Sequence, residues 1–245
     1  MITETEFTAK LFSCLEANGL SEFVRDELAG KLYRLTVRML EVNEHMNLTA
    51  ITDIDGVILK HYVDSLTVSG YIPEGSSVID VGCGAGFPSL VLAIARPDIR
   101  VTALDSTAKR INYIRETAEL LGFSNITCIA SRAEELAHDP GHREKYDIAC
   151  ARAVARLNIL SELCMGFVSP GGKFVAMKAN FEEELEEARD AIEKLGGRLA
   201  SADSFELEWD VSSVHDPRCN ISVEKISKTR EIYPRNNSQI KKKPL

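Results

Sequence analysis

The sequence predicts a doubly wound α/β fold built on a mostly parallel sheet, and three observations predict it. The first is a glycine-rich turn, Gly82-Cys83-Gly84-Ala85-Gly86, between the apolar run Ser77-Val78-Ile79 and the helix-like stretch Leu90-Val91-Leu92-Ala93-Ile94. Strand, glycine turn and helix in that order form the nucleotide-binding corner of such folds, because glycine lets the backbone turn tightly and approach a ligand. The second is Asp105, which closes the next strand about 20 residues further on, where an acid that holds ribose hydroxyls is expected. The third is the regular exchange of strand-like and helix-like segments from Ser77 onward, which implies a parallel sheet.

The elements follow in order. Residues 6–15 and 22–46 read as amphipathic helices. In the second, Phe23, Leu28, Leu32, Leu35, Met39 and Val42 recur at three- and four-residue steps. Asn18-Gly19 separates the two, with Ser21 as expected N-cap of the second. A third helix is expected over 53–70. This helical leader cannot bury its stripe alone, so it should lie on the α/β body. Strands are expected at 78–81, 100–104, 126–130, 146–151 and 173–178, with helices near 87–95, 107–121, 133–136 and 155–168. An acidic helix over 181–195 follows, then two strand-like runs near 198–209 and 220–228 with no helix between them, which implies an antiparallel edge pair. The organisation expected is a helical extension (1–72), an α/β domain (73–230) and a basic tail (231–245).

Composition narrows the class. No run of about 18 or more apolar residues suggests a membrane span, and the N-terminus lacks the pattern of a signal peptide. Six scattered cysteines without a Cys-x-x-Cys pair fit reduced thiols in the cytoplasm, and no metal site is expected. The chain carries a net charge of −8, yet Lys225 to Leu245 alone carries +6, leaving −14 elsewhere. A basic tail on an acidic body suits phosphate contacts or a merely solvated end.

In open parallel sheets the ligand lies beyond the carboxyl ends of the strands. Asp80 and the backbone of Gly82, Gly84, Gly86 and Phe87 would then meet the amino-acid part of a cofactor, Asp105 its ribose, and the loop Ser131-Arg132-Ala133-Glu134 its adenine. The turn is Gly-x-Gly-x-Gly rather than Gly-x-Gly-x-x-Gly, and an acid precedes it, which disfavours a pyrophosphate and hence a nicotinamide oxidoreductase. The fourth loop, Ala151-Arg152-Ala153, lacks the Asn/Asp-Pro-Pro-aromatic motif that aligns exocyclic amines. It also lacks a cysteine–proline pair for attack on a base carbon. That leaves an acceptor already nucleophilic, such as guanine N7. Arg152 suits a phosphate or a guanine edge, or an ion pair with a local acid.

These motifs, with Asn47-Leu48-Thr49-Ala50-Ile51, His61-Tyr62-Val63-Asp64-Ser65-Leu66, Lys109-Arg110 and the ending Tyr233-Pro234-Arg235…Lys243-Pro244-Leu245, occur in one order along nearly the whole chain. In that combination the sequence resembles the small-subunit ribosomal RNA guanine-N7 methyltransferases, the glucose-inhibited division protein B family, of Gram-positive type. It departs from the family pattern at Cys83, where threonine is usual, and at Ser89, where glycine is usual. The resemblance implies a Rossmann-like class I methyltransferase fold, with seven strands of which one is antiparallel, and S-adenosyl-L-methionine as cofactor. It implies cofactor contacts at Gly82, Phe87, Ala133, Glu134 and Arg152, and small-subunit rRNA or a ribosomal particle as partner. Lys109, Arg110, Arg132 and Lys178 are expected to meet RNA phosphates. His61 and Asp64 are expected to project toward the cleft with Arg152, His61 either as a structural hydrogen-bonding group or in acid–base work. The protein is expected to act as a cytoplasmic monomer. A small-molecule methyltransferase or a catalytically silent binding protein on the same fold are the alternatives.

Overall fold

The computed structural model describes residues 2–152, 154–179, 181–209 and 216–245. Ala153 of the fourth loop lies outside the described residues. Seven strands, β1 (Ser77–Val81), β2 (Arg100–Asp105), β3 (Ile126–Ala130), β4 (Tyr146–Arg152), β5 (Val168–Lys178), β6 (Gly197–Leu207) and β7 (Asp216–Lys225), form one sheet in the order β3-β2-β1-β4-β5-β7-β6. The pairs β1–β2, β2–β3, β1–β4 and β4–β5 are parallel. Strand β7 alone is reversed, inserted antiparallel between β5 and β6. The winding direction changes between β1 and β4, so the crevice of the fold opens at the carboxyl end of β1.

Helices cover both faces. The leader contributes α1 (Glu4–Ala17) and α2 (Asp26–Met46), whose Phe7, Leu11, Leu32, Leu35 and Met39 share one buried cluster with Leu90 of α5 (Ser89–Ala95) and Ile111 of α6 (Ala108–Leu121). On the other face, Leu160 and Cys164 of α8 (Leu157–Met165) and Ile192 of α9 (Glu182–Lys194) meet Ile79, Ala149 and Phe174 of the sheet. Alternate residues of β1 thus enter different clusters, as the two-residue period of a strand requires. Between leader and sheet, α3 (Ile54–Gly56), a π-helical stretch (Val57–Val63), α4 (Asp64–Leu66) and a 3-10 segment (Thr67–Tyr71) run on as one continuous rod. The remaining helices among the described residues are the short α7 (Ala133–Leu136) and α10 (Asn237–Lys242).

Two expectations are corrected here. The helix expected over 22–46 is interrupted: Ser21–Phe23 is a single 3-10 turn, Val24 and Arg25 are non-helical, and α2 starts at Asp26. Ser21 therefore caps nothing in α2, where Arg25 holds the N-cap position without a side-chain cap bond. The break lets Phe23 bury itself while the Arg25 guanidinium donates to the Ala95 carbonyl at 2.9 Å. Lys225, counted with the exposed basic tail, is fully buried at the end of β7. Its ammonium donates to the Met165 carbonyl at 2.6 Å and lies 3.3 Å from Glu144, and desolvation pulls its pKa down to about 8.

Candidate active site

A cavity of about 470 Å³ opens over the carboxyl ends of β1, β2, β3 and β4. Its floor is the glycine turn. Gly82, Gly84 and Gly86 all have positive φ, at 77°, 57° and 91°, but they are glycine for different reasons. A Cβ on Gly86 would lie 2.5 Å from Leu90 Cδ1, so this residue seats α5 against the turn. A Cβ on Gly84 would meet only the Gly82 carbonyl oxygen, at 4.0 Å, and would otherwise project into open space. The turn is pinned to the neighbouring strand, since the amides of Gly82 and Cys83 both donate to the Leu104 carbonyl, at 2.7 and 3.0 Å.

Asp105, 6% exposed, holds two loops together: Oδ2 accepts from the Gly84 amide at 3.1 Å and Oδ1 from the Thr107 amide at 2.7 Å. Each oxygen keeps a further lone pair for a ligand hydroxyl. Arg110 stands 3.6 Å from the same carboxylate. On the next loop Glu134 accepts from Arg132 Nε at 2.7 Å. Burial pushes the Glu134 carboxyl up, but hydrogen bonds from Arg132, its own backbone and Asn237 together hold it below the usual value.

The fourth side of the cavity is built by the end of β4 and the π-helical rod. Arg152 Nη1 donates to the Lys60 carbonyl at 2.8 Å and to Asp64 Oδ2 at 3.0 Å, and its guanidinium lies 5.5 Å over the Phe87 ring. His61 also stacks on Phe87: its ring lies 4.3 Å from that ring, tilted by 7°. His61 Nε2 is 2.9 Å from Thr49 Oγ1, and Nδ1 is 3.5 Å from Arg152 Nη2. Both ring nitrogens thus have a polar neighbour, and the tautomer decides which of them donates. Burial, then the charge of Arg152, lowers the His61 pKa to about 3, so the ring is neutral at physiological pH. Thr49 is placed by Asn43 of α2, which exchanges two hydrogen bonds with its backbone at 2.9 and 3.0 Å once Asn47 (φ 49°) has closed the helix.

The cavity wall thus brings together His61, Gly82, Gly84, Phe87, Asp105, Arg110, Arg132, Ala133, Glu134 and Arg152 from the sequence-based set. Others stand behind it. Gly86 packs on Leu90, as above. Asp80 is fully buried beneath the turn; one carboxylate oxygen accepts from the Ser89 amide at 3.0 Å and the other has no partner. Burial pushes its pKa up to about 7. Asp64 does not face the cleft, a correction to the expectation above. The i→i+5 winding before it changes the phase of the rod, and the carboxylate, 4% exposed, sits between Arg152 and Arg218, with Arg218 Nε at 3.3 Å. Lys178 is also removed from the cavity, donating to the Ala155 carbonyl and paired with Glu184, both at 2.6 Å. Lys109 is exposed at the start of α6. Sequence reasoning missed Leu163 and Asn237 in the wall and Arg218 behind it; none belongs to a glycine, acid or periodic pattern. Thr49 lay inside a quoted motif without a role.

A sheet with one reversed strand, a glycine turn at its switch point and an acid closing β2 define the Rossmann-like fold of S-adenosylmethionine-dependent methyltransferases. In accord with that, the chain is similar to solved structures of a SAM-dependent O-methyltransferase from Thermotoga maritima (TM-score 0.53, 15% identity, covering 78% of this chain and 73% of that one) and a precorrin-6y C5,15-methyltransferase from Geobacter metallireducens GS-15 (TM-score 0.51, 18% identity, 66% and 86%). The likeness at such identities is one of fold. The chain belongs to the rRNA small subunit methyltransferase G family, whose model matches residues 29–210. Relatives named ribosomal RNA small subunit methyltransferase G include one from Staphylococcus carnosus (strain TM300), 47% identical over 211 residues (84% of this chain, 86% of the relative). Another is from Bacillus cereus (strain B4264), 43% identical over 236 residues (95% and 96%).

Proposed function

We propose that this chain transfers a methyl group from S-adenosylmethionine to N7 of a guanine in small-subunit rRNA. Family membership supports the reaction class and the RNA. The cavity suits the cofactor: the turn is open at Gly84, and Asp105 offers lone pairs for two vicinal hydroxyls. On this reading Gly82, Gly84 and Phe87 border its amino-acid end, and Ala133 and Glu134 its adenine end. The cofactor supplies an electrophilic methyl on a sulfonium sulfur, and the lone pair of N7 takes it without a proton to remove.

The observation that carries the N7 assignment is the wall beside Arg152. It presents a guanidinium and a histidine whose two ring nitrogens already face Thr49 and Arg152, and burial leaves that imidazole a weak base. An amine or hydroxyl acceptor would call for a proton acceptor at this point; N7 does not. Arg152 borders the cavity while Asp64 and the Lys60 carbonyl hold its Nη1, and the chain's contribution is to orient the base and shape the local field. Arg110, Arg132 and Lys109 at the rim, with Lys241–Lys243 at the end of α10, are the cations for RNA phosphates. Lys178 and Lys225 are buried in their ion pairs, whereas the Arg110 and Arg132 side chains stay 42% and 47% exposed. The protein is taken to act as a monomer in the cytoplasm. Among the described residues no helix is long and apolar enough to cross a membrane, and no group of three or more His, Cys, Asp or Glu side chains is placed to hold a metal. Comparing turnover on rRNA with turnover on free guanosine tests the reading. Methyl transfer confined to RNA supports it, and equal transfer to the nucleoside would return the protein to the small-molecule class.

A further inference from the structure

The segment after β7 lies beyond residues 29–210, the part matched to the family model, and it does not hang free as a basic tail. Arg143, just beyond α7, donates to the carbonyls of Thr229, Arg230 and Tyr233 at 2.9, 3.2 and 3.0 Å. His138 Nε2 lies 2.8 Å from the Pro234 carbonyl oxygen. Arg235 makes a forked pair with Glu162 of α8, at 2.8 and 2.6 Å, and Glu162 is fully buried. Arg235 also donates to the Lys243 carbonyl at 3.0 Å, which draws the last residues back over it. Ile240 is buried, and the Asn236 side chain caps α10 through the Gln239 amide at 3.0 Å. A bidentate arginine–carboxylate pair in such a buried setting fixes orientation as well as position.

The consequence is local to one residue. Asn237, the first residue of α10, lines the cofactor cavity beside Arg132 and Glu134, and it also lines a second opening shared with the same two residues, His138 and Pro234. Arg132 holds Glu134 from a side chain that is 47% exposed. Asn237 borders the same carboxylate in both openings, from a helix anchored by a buried ion pair. We propose that residues 229–245 form a strap that is a working wall of the cofactor pocket, and that Asn237 is a positioning residue that sets the Glu134 carboxylate against the bound cofactor. This rests on the functional reading above, because it takes S-adenosylmethionine to occupy this cavity. Removing a neighbour that supports a ligand-binding group weakens the contact that group makes, without touching the reacting atoms.

The test uses the full-length chain. Titration calorimetry with S-adenosylmethionine should show Asn237→Ala raising the cofactor Kd about 2- to 10-fold, the range for one supporting hydrogen bond. Asn237→Asp, which sets a second carboxylate beside Glu134, should raise it further. KM for the cofactor should rise with kcat unchanged at saturation, and rRNA affinity should stay at the parent value, a split that a general loss of folding would not produce. Glu162→Gln, which loosens the strap from a distance, should raise the cofactor Kd in the same direction. Parent-like cofactor affinity in both Asn237 variants would overturn the inference. So would a loss confined to rRNA binding, which would make the strap an RNA clamp. If the parent protein itself bound no cofactor, the functional reading would fall, and the parallel failure of parent and variant would identify that outcome.

Discussion

Replacing Asp64 by asparagine tests whether Arg152 is held in place from behind. The carboxylate is 4% exposed and lies between two guanidinium groups, Arg152 at 3.0 Å and Arg218 at 3.3 Å, each side chain 16% exposed. Asparagine keeps the shape and one carbonyl acceptor but removes the charge, so at most one arginine keeps a good partner. Losing a charge-assisted hydrogen bond costs roughly 1.5–3 kcal/mol, and leaving cations partly buried without a counter-ion raises the cost toward roughly 3–5 kcal/mol. The arginines retain the Lys60 carbonyl and Asp216 as partners, so we expect about 2–4 kcal/mol. For a chain of this size about 2 °C of Tm corresponds to each kcal/mol, which gives a fall of roughly 4–8 °C by differential scanning calorimetry. Methyl transfer at saturating cofactor should fall more than cofactor affinity, because Arg152 loses its orientation rather than the cofactor its ribose contact. A Tm within about 1 °C of the parent with unchanged kcat would refute the reasoning.

Other expectations follow from single contacts. Asp105→Ala removes the carboxylate that links the glycine turn to α6, and cofactor binding should weaken by about 1–3 kcal/mol in calorimetry; an unchanged Kd would place the cofactor elsewhere. Gly86→Ala should destabilise the fold, because its Cβ would meet Leu90 at 2.5 Å. Gly84→Val strains a backbone held at φ 57° but displaces no neighbour, so it should cost less stability than Gly86→Ala while abolishing cofactor binding, and equal melting losses for the two would contradict the division of roles. Asp80, with its pKa raised to about 7 by burial, binds more protons folded than unfolded between about pH 4 and pH 7. Its contribution therefore falls as pH rises through that window, so Asp80→Asn should gain Tm over the parent at pH 8 and lose that gain at pH 4. His61 titrates in the opposite sense below about pH 6.5, and comparing parent and variant cancels it. Neutralising Lys241, Lys242 and Lys243 together should flatten the salt dependence of rRNA binding by about 0.7–0.9 for each phosphate these lysines neutralise. Lys178→Met should not, since that amine is spent on Glu184.

The elements of the sheet were legible because each obeys a local rule. Val78, Ile79 and Val81 before a glycine turn fix β1, and the closing acid fixes the end of β2. The exchange of strand and helix fixes the parallel order. The reversal of β7 followed from two strands with no helix between them. Boundaries set by tertiary contacts were less legible. The break before α2 depends on Arg25 reaching the Ala95 carbonyl, 70 residues away, and no propensity encodes that. In the site, glycines and acids announce themselves by spacing, whereas the neutral state of His61 depends on burial and on an arginine 91 residues distant. Charge counting misled most. Lys225, Lys178 and Arg235 are cations in the sequence, but each is consumed by a carboxylate that only the fold brings near. Asn237 had no signal at all, since its importance comes from where the strap is tied down.

The base beside Arg152 is expected to be methylated on N7. The most direct measurement incubates the protein with labelled S-adenosylmethionine and small ribosomal subunits lacking their methylations, then maps the label by the strand cleavage that N7-methylguanine permits. Label should appear at one guanine, be released by N7-dependent cleavage and be lost in Arg152→Ala. Label on an exocyclic nitrogen, a ring carbon or a ribose hydroxyl would contradict it.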